Sequence, residues 1–295
     1  TAAVSALTSD QLGVISTRQL NSLSSNQIAA LTTSQILALS ADQIKSLGTT
    51  QLSGFGTKHI AALEDEDVAA LTQAQVRSLT TLQMSAFTSK QVPAFTTKQV
   101  IVLNTNQLGA LSTVALPYME KEDLQSLSTG QINNLRSSQF ASLSAAQITW
   151  LTPNQIRNLS TVQINNLTTQ QFAGLTVDQF KIMSSKQLGA VGTRLIAALE
   201  TEDLQALGSD QLAGINSGQI AALGTQQIVA ITQKQLTNLN SAQIAGLSSG
   251  QIRSLSTDQV LQLSVSQLTK FSTAQLQGLS TDQIGALSDR VSGLT

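Results

Sequence analysis

The sequence predicts an all-α solenoid, a superhelix of very short capped helices that repeat every eight residues. Three observations predict this fold. The eight-residue period continues without insertion or deletion, two positions of the octad are apolar, and two others have the spacing of helix-capping residues. With Gln283 at position 3 of its octad, position 0 is Ser280, position 4 is Ile284 and position 7 is Leu287.

Positions 4 and 7 form the predicted core. Position 4 is apolar in 36 of 37 octads, with Ser292 as the exception, and position 7 in 36 of 37, with Thr295 as the exception. One octad buries too little apolar surface to fold, so the units must stack on their neighbours, as in other repeat proteins. Position 6 is usually Ala, Gly, Ser or Asn, which predicts close contact between neighbouring units.

Positions 0 and 3 predict that a new helix begins in each octad. Gln holds position 3 in 29 of 37 octads, and Ser or Thr holds position 0 in 24 of 36. In such a capping box the hydroxyl accepts from the backbone amide three residues later, and the Gln side chain accepts from the backbone amide of the cap. Glycine at position 0, as at Gly192, Gly208 and Gly224, predicts a left-handed residue that ends the preceding helix.

Other folds explain the pattern less well. In one long helix the apolar stripe would rotate by about 80° per octad and form no continuous seam. A β-solenoid, the alternative fold, would need strict alternation with β-branched or aromatic residues. We therefore expect a single continuous array over residues 1–295, without a separate capping domain. If two octads make one coil, the array has about 18 coils.

The three prolines have different expected effects. Pro93 and Pro117 lie at position 5, inside the predicted helix, where proline removes a backbone donor. Those two units are therefore expected to be single turns or kinked. Pro153 lies at the first helical position, which proline favours.

Three double units depart from the Gln pattern. The first octad of each lacks Gln, which is replaced by His59, Ala115 or Leu195, and the second carries Glu-x-Glu-Asp. These carboxylates are candidate ligands for a cation, which needs several converging oxygens. A helix N-terminus also favours carboxylates, and no calcium-binding loop motif is present, so the pattern favours a structural role. The candidate ligands are Glu64, Glu66, Asp67, Glu120, Glu122, Asp123, Glu200, Glu202 and Asp203.

The composition predicts that the protein is not an enzyme and has no cofactor. The chain has no cysteine and one histidine, which excludes the usual zinc ligand sets. No phosphate-binding glycine loop and no nucleophile elbow is present. A net charge of −1 argues against nucleic acid as a partner, and no apolar run is long enough for a membrane span.

The octads resemble the low-complexity octad tracts of very large bacterial exoproteins, which are often described as adhesin-like. The motifs that carry the resemblance are Leu-Ser-Thr-Asp-Gln-Ile at 279–284, Ala-Leu-Thr-Thr-Ser-Gln-Ile at 30–36 and Ala-Leu-Glu-Thr-Glu-Asp-Leu at 198–204. The resemblance covers essentially the whole chain. It implies a bacterial, extracellular or cell-surface protein, and it brings no catalytic residue with it.

These observations predict a structural protein, the subunit of a filament or sheath or the stalk of an adhesin. Neither end has a distinct polar capping repeat, so we expect the protein to assemble with itself through repeat surfaces and uncapped ends. The alternative is a binding module that presents a regular array of Thr and Ser, at positions 0 and 1, to ice or a polysaccharide. Capping already uses the position 0 hydroxyls, which weakens this alternative.

Overall fold

The computed structural model describes residues 2–292 and, among them, the side chains of residues 4–288. Helix is the only regular secondary structure in this range, so the predicted all-α solenoid is confirmed and the β-solenoid alternative is wrong. The chain forms two compact units, Thr1–Thr152 and Pro153–Thr295, and the octads continue through both. A single continuous array over the whole chain stays a prediction.

The first unit contains short α-helices and two 3₁₀ helices. The α-helices are Ala2–Ser5, Ser9–Val14, Thr17–Asn21, Ser25–Ile28, Thr33–Leu37, Ala41–Ser46, Thr49–Leu52, Thr57–Ala62, Asp65–Ala70, Gln73–Ser78, Thr81–Met84, Thr97–Val100, Thr105–Ala110, Lys121–Ser126, Thr129–Asn133, Ser137–Ser142 and Ala145–Trp150. The 3₁₀ helices are Val92–Ala94 and Leu116–Tyr118.

The second unit is built in the same way. Its α-helices are Pro153–Arg157, Thr161–Asn166, Thr169–Ala173, Val177–Ile182, Ser185–Gly189, Thr193–Ile196, Thr201–Ala206, Ser209–Ala213, Ser217–Ala222, Thr225–Ala230, Gln233–Thr237, Ser241–Gly246, Ser249–Ser254, Thr257–Gln262, Val265–Leu268, Thr273–Gln277 and Thr281–Ser292.

The capping box begins most of these helices, as predicted. Thr32 is a representative cap, with extended backbone at φ −82° and ψ 162°. Its Oγ1 accepts from the Gln35 backbone amide at 3.2 Å, and Gln35 Oε1 accepts from the Thr32 amide at 2.7 Å. Because both partners lie within one octad, the chain starts a new helix wherever this pair occurs.

The prediction of left-handed glycines at the caps is wrong. Gly192, Gly208 and Gly224 have φ values of −64°, −69° and −70° and are extended, like the Ser and Thr caps. The preceding position 7 is extended as well, for example Leu207 at φ −65° and ψ 132°. Two consecutive extended residues therefore turn the chain, and a positive φ is not needed. A glycine cap therefore differs from a Ser or Thr cap only in lacking the side-chain hydroxyl that accepts from the backbone amide.

A coil closes after three and a half octads. Helices pack on the third helix further along the chain, as Ser217–Ala222 does on Ser241–Gly246. Side-chain hydrogen bonds join backbone groups to glutamines 28 and 31 residues later. Since the shorter of these separations, 28 residues, equals three and a half octads, the expectation of two octads per coil is wrong.

The core consists of the two apolar positions, as predicted. Ile244, at position 4, is completely buried, and Leu247, at position 7, is buried as well. Position 6 makes the close contact that its small residues predict. A Cβ added to Gly246 would lie 2.6 Å from the carbonyl oxygen of Ser217 in the preceding coil. The backbones of successive coils touch at this position.

The prolines and the last helix show how the octad varies. The units of Pro93 and Pro117 are single 3₁₀ turns, one of the two predicted outcomes, and they pack on each other. Pro153 opens its helix, as predicted. The last helix runs through an octad boundary, because Ser288 Oγ donates back to the Ile284 carbonyl at 2.9 Å and Gln is absent three residues later.

Candidate functional site

The glutamine at position 3 joins successive coils. Gln243 Oε1 accepts from the Asn240 amide at 2.9 Å and so closes its own helix start. Its Nε2 donates to the carbonyls of Leu212 and Ile215, both at 2.7 Å. Carbonyls at a helix end have no partner within the helix. One buried amide thus serves the beginning of one helix and the end of another in the preceding coil, and we call this arrangement the glutamine clip.

The glutamine clip recurs in both units and is the main feature that the sequence analysis missed. The capping box accounts for only the acceptor half of position 3. A capping box accepts Glu as well as Gln, and a helix N-terminus favours the charged residue, yet no octad has Glu at position 3. This bias was the available signal, because only the amide offers both an acceptor and a donor. Further clips with bonds to both carbonyls are Gln35, Gln43, Gln75, Gln83, Gln91, Gln99, Gln107, Gln139, Gln187, Gln211, Gln219, Gln227, Gln235, Gln251, Gln267, Gln275 and Gln283.

In two of the three octads where another residue replaces Gln, a side chain still bonds to the preceding coil. His59 Nδ1 accepts from the Gly56 amide at 3.2 Å, so Nε2 carries the proton and donates to the Leu31 carbonyl at 2.8 Å. Leu195 cannot form a clip, but Arg194 beside it donates to the Leu167 carbonyl at 3.2 Å. That carbonyl is the one that a glutamine at position 195 would bind. Ala115 lies in the second proline unit, and its amide donates to Ser112 Oγ at 3.0 Å.

Asp67, Asp123 and Asp203 occupy position 3 and are buried at 3–4% exposure. The acceptor half of the clip is kept, since Asp67 Oδ2 accepts from the Glu64 amide at 3.0 Å. A carboxylate has no proton to donate to the carbonyls of the preceding coil. When it is ionised, each aspartate therefore leaves the donor half of the clip unfilled.

The three aspartates differ in one neighbour, which comes from the preceding coil. For Asp123 this residue is Thr97, whose Oγ1 donates to Asp123 Oδ1 at 2.8 Å. At the same sequence separation from Asp67 and Asp203 stand Ala41 and Val177, which have no side-chain donor.

Burial raises the pKa of all three aspartates. The pKa of Asp203 is raised to about 6, first by burial and then by the charges of Glu200 and Glu202. The pKa of Asp67 is raised by burial, against the opposing effect of the Glu64 backbone bond. The pKa of Asp123 is raised by burial, and the Thr97 bond opposes this rise. In all three units burial is the largest cause of the raised pKa.

The predicted cation ligands lie in two different environments. In each acidic unit the Asp is buried, whereas the two Glu side chains, Glu64 and Glu66 in the first unit, are exposed. Between residues 4 and 288 the structure contains no group of three or more His, Cys, Asp or Glu residues that could hold a metal ion. Cation binding by these residues stays a prediction. None of the described helices combines the length and apolarity that a membrane crossing requires.

The hydroxyls do not form one flat array along consecutive octads. Position 0 hydroxyls are used in caps, as Ser248 Oγ is by the Gln251 amide at 3.2 Å. Position 1 residues such as Thr33 and Thr49 are exposed. Because a coil holds three and a half octads, consecutive position 1 residues face different sides of the coil. Binding to ice or to a polysaccharide stays a prediction.

Capped short helices, a two-residue apolar core and clips between coils define a helical repeat protein. The model of the ALTTAQ repeat family matches residues 4–41, 60–97, 116–153, 196–233 and 228–265, which together are more than half of the chain. The chain belongs to this family. Each match begins at position 4 of an octad, so the family model and the octad share one register. No curated protein matches the chain.

Proposed function

We propose that the chain is a non-catalytic structural protein that assembles end to end with copies of itself. The assembly is an extracellular filament or sheath, or the stalk of a surface adhesin. The bacterial cell-surface setting rests on the resemblance of the octads to tracts in bacterial exoproteins. Membership of a repeat family supports the structural role, and so does His59, whose two ring nitrogens are both engaged in holding helices together.

The apolar face of the last coil carries this proposal. Inside the coils position 4 is fully buried, as at Ile252 and Ile244. In the last coil Leu276 and Ile284, at the same position, are each 49% exposed. Covering the exposed half of each side chain contributes about 1 kcal/mol. A further coil would supply that cover.

The first coil offers the complementary chemistry. Gln11 and Gln19 are exposed, and each uses its Oε1 to cap its own helix. Within the residues that the structure describes, neither amide nitrogen makes a clip bond. Inside the array the corresponding nitrogens bind the position 4 and position 7 carbonyls of the preceding coil. In the last coil these two carbonyls belong to Leu276 and Leu279. The first coil of one copy thus fits the last coil of another.

Sedimentation velocity and negative-stain electron microscopy of the purified chain test the proposal. We expect linear particles that lengthen with protein concentration. The double variant Leu276→Asp, Ile284→Asp should stop the growth, because it would bury two unpaired charges in the junction. Leu82→Asp is the matched control, since Leu82 is 66% exposed on a middle helix away from both end coils.

Compact monomers at every concentration would refute end-to-end assembly. It would also be refuted if the double variant still formed linear particles while Leu82→Asp abolished them, because assembly would then use the sides of the coils.

A further inference from the structure

We propose that the three buried aspartates make their joints between coils proton-dependent. The joints are the acidic units at residues 64–71, 120–127 and 200–207. Each is tight when its aspartate is a neutral acid and loosens when the carboxylate forms. This property is independent of whether copies of the chain assemble end to end.

The repeat itself provides the reference state. Where Gln holds position 3, a neutral amide donates to two carbonyls of the preceding coil, as Gln235 does to Leu207 and Leu204 at 2.8 and 2.7 Å. For Asp203 the equivalent carbonyls belong to Leu175 and Phe172. A buried anion with no cation beside it is unfavourable. Protonation removes the charge and supplies a hydroxyl donor.

No free cation compensates Asp203 within its surroundings. On its own helix the charged neighbours are Glu200 and Glu202, both negative. Helix Val177–Ile182, packed on one side, carries Asp178 and Lys181, which pair with each other at 3.7 Å. Helix Thr225–Ala230, packed on the other side, has no titratable residue. Binding a proton is therefore the simplest way to neutralise the buried Asp203 carboxylate.

The three joints should respond at different pH values. Thr97 donates to Asp123 and stabilises its charged form, whereas Val177 offers nothing to Asp203. The Asp203 joint should therefore loosen at a higher pH than it would with a threonine at position 177. The substitution Val177→Thr copies the Asp123 arrangement onto Asp203.

The sign follows from the direction of the pKa shift. The folded pKa of Asp203, about 6, lies above its ordinary value of 3.8. The folded state therefore binds this proton more tightly than the unfolded state does. The stability of the joint is greatest below pH 4, falls as the pH rises to about 6, and is level above that.

Hydrogen exchange of the full chain at pH 4.5 and pH 7.5, corrected for intrinsic rates, tests the proposal. Peptides from residues 200–207 should be more than tenfold more protected at pH 4.5, since each pKa unit corresponds to a tenfold change and the pKa of Asp203 is raised from 3.8 to about 6. Residues 240–247, which have Gln243 at position 3, provide the internal control and should show no such change. Asp203→Asn should abolish the difference, and Val177→Thr should shift the midpoint to lower pH.

Equal corrected protection of residues 200–207 at the two pH values would overturn the proposal. So would a pH dependence that persists in a folded Asp203→Asn variant. If that variant does not fold, Val177→Thr decides the question, because an unchanged midpoint would show that Asp203 is not the titrating group.

Discussion

Replacing Gln227 by Glu should lower the free energy of unfolding by about 3 kcal/mol at pH 7. Gln227 Nε2 donates to the carbonyls of Leu199 at 2.6 Å and Ile196 at 3.3 Å. Glutamate keeps the acceptor for the Gly224 amide but loses the donor and places an anion beside two carbonyls. Urea denaturation measures the loss.

The adjacent residue provides the control for this prediction. Gln226 is exposed, and Gln226→Glu should change the free energy of unfolding by less than about 0.5 kcal/mol. At pH 4 the effect of Gln227→Glu should shrink, because a neutral carboxyl can donate again. Equal losses for the two variants at pH 7 would show that the glutamine clip does not stabilise the coils.

Ile252→Ala should lower the free energy of unfolding by about 3 kcal/mol, because it opens a cavity in the core. Ile252 is completely buried at position 4. Ile284 occupies the same octad position in the last coil and is 49% exposed, so Ile284→Ala should cost about 1 kcal/mol or less.

Thermal or urea unfolding of the two isoleucine variants, measured at a concentration where the chain is monomeric, gives this comparison. Losses of the same size would mean that the last coil is covered as completely as the interior, which would contradict its exposed apolar face.

The sequence was sufficient to predict features that depend on residues close in the chain. Ser248 and Gln251 lie three residues apart, so their capping box is visible as a local pattern. Ile252 and Leu255 are predicted to lie in the core because they occupy the two positions that are apolar in nearly every octad. One octad buries too little apolar surface to fold, so these positions must pack against neighbouring units. Pro153 fits its helix start for the same local reason.

The size of the coil could not be predicted in this way. It depends on the angle between helices, which the two extended residues between them set, and on hydrogen-bond partners in the preceding coil. The octad period is compatible with two octads per coil as well as with three and a half. The capping box explains a glutamine at position 3 locally but does not explain the absence of glutamate there, which was the one sign in the sequence of the bond to the preceding coil.

The aspartates were missed as buried groups for a related reason. Asp203 at a helix start is adequately explained by the favourable helix N-terminus. In the fold its helix packs between helices Val177–Ile182 and Thr225–Ala230, and the burial of Asp203 raises its pKa. The sequence identified the unusual residue and the structure supplied its environment.

Disulfide formation between introduced cysteines tests the coil of three and a half octads most directly, since the chain has no cysteine of its own. A Cβ added to Gly246 lies 2.9 Å from Ser217 Cβ and 2.6 Å from the Ser217 carbonyl oxygen. A disulfide needs Cβ atoms about 3.8 Å apart, so the two backbones must separate by about 1 Å to form it. Under mild oxidation the variant Ser217→Cys, Gly246→Cys should form an intramolecular disulfide, detected by peptide mass. The variant Ser217→Cys, Gln233→Cys, spaced for two octads per coil, should remain reduced. The opposite result would contradict the solenoid described here.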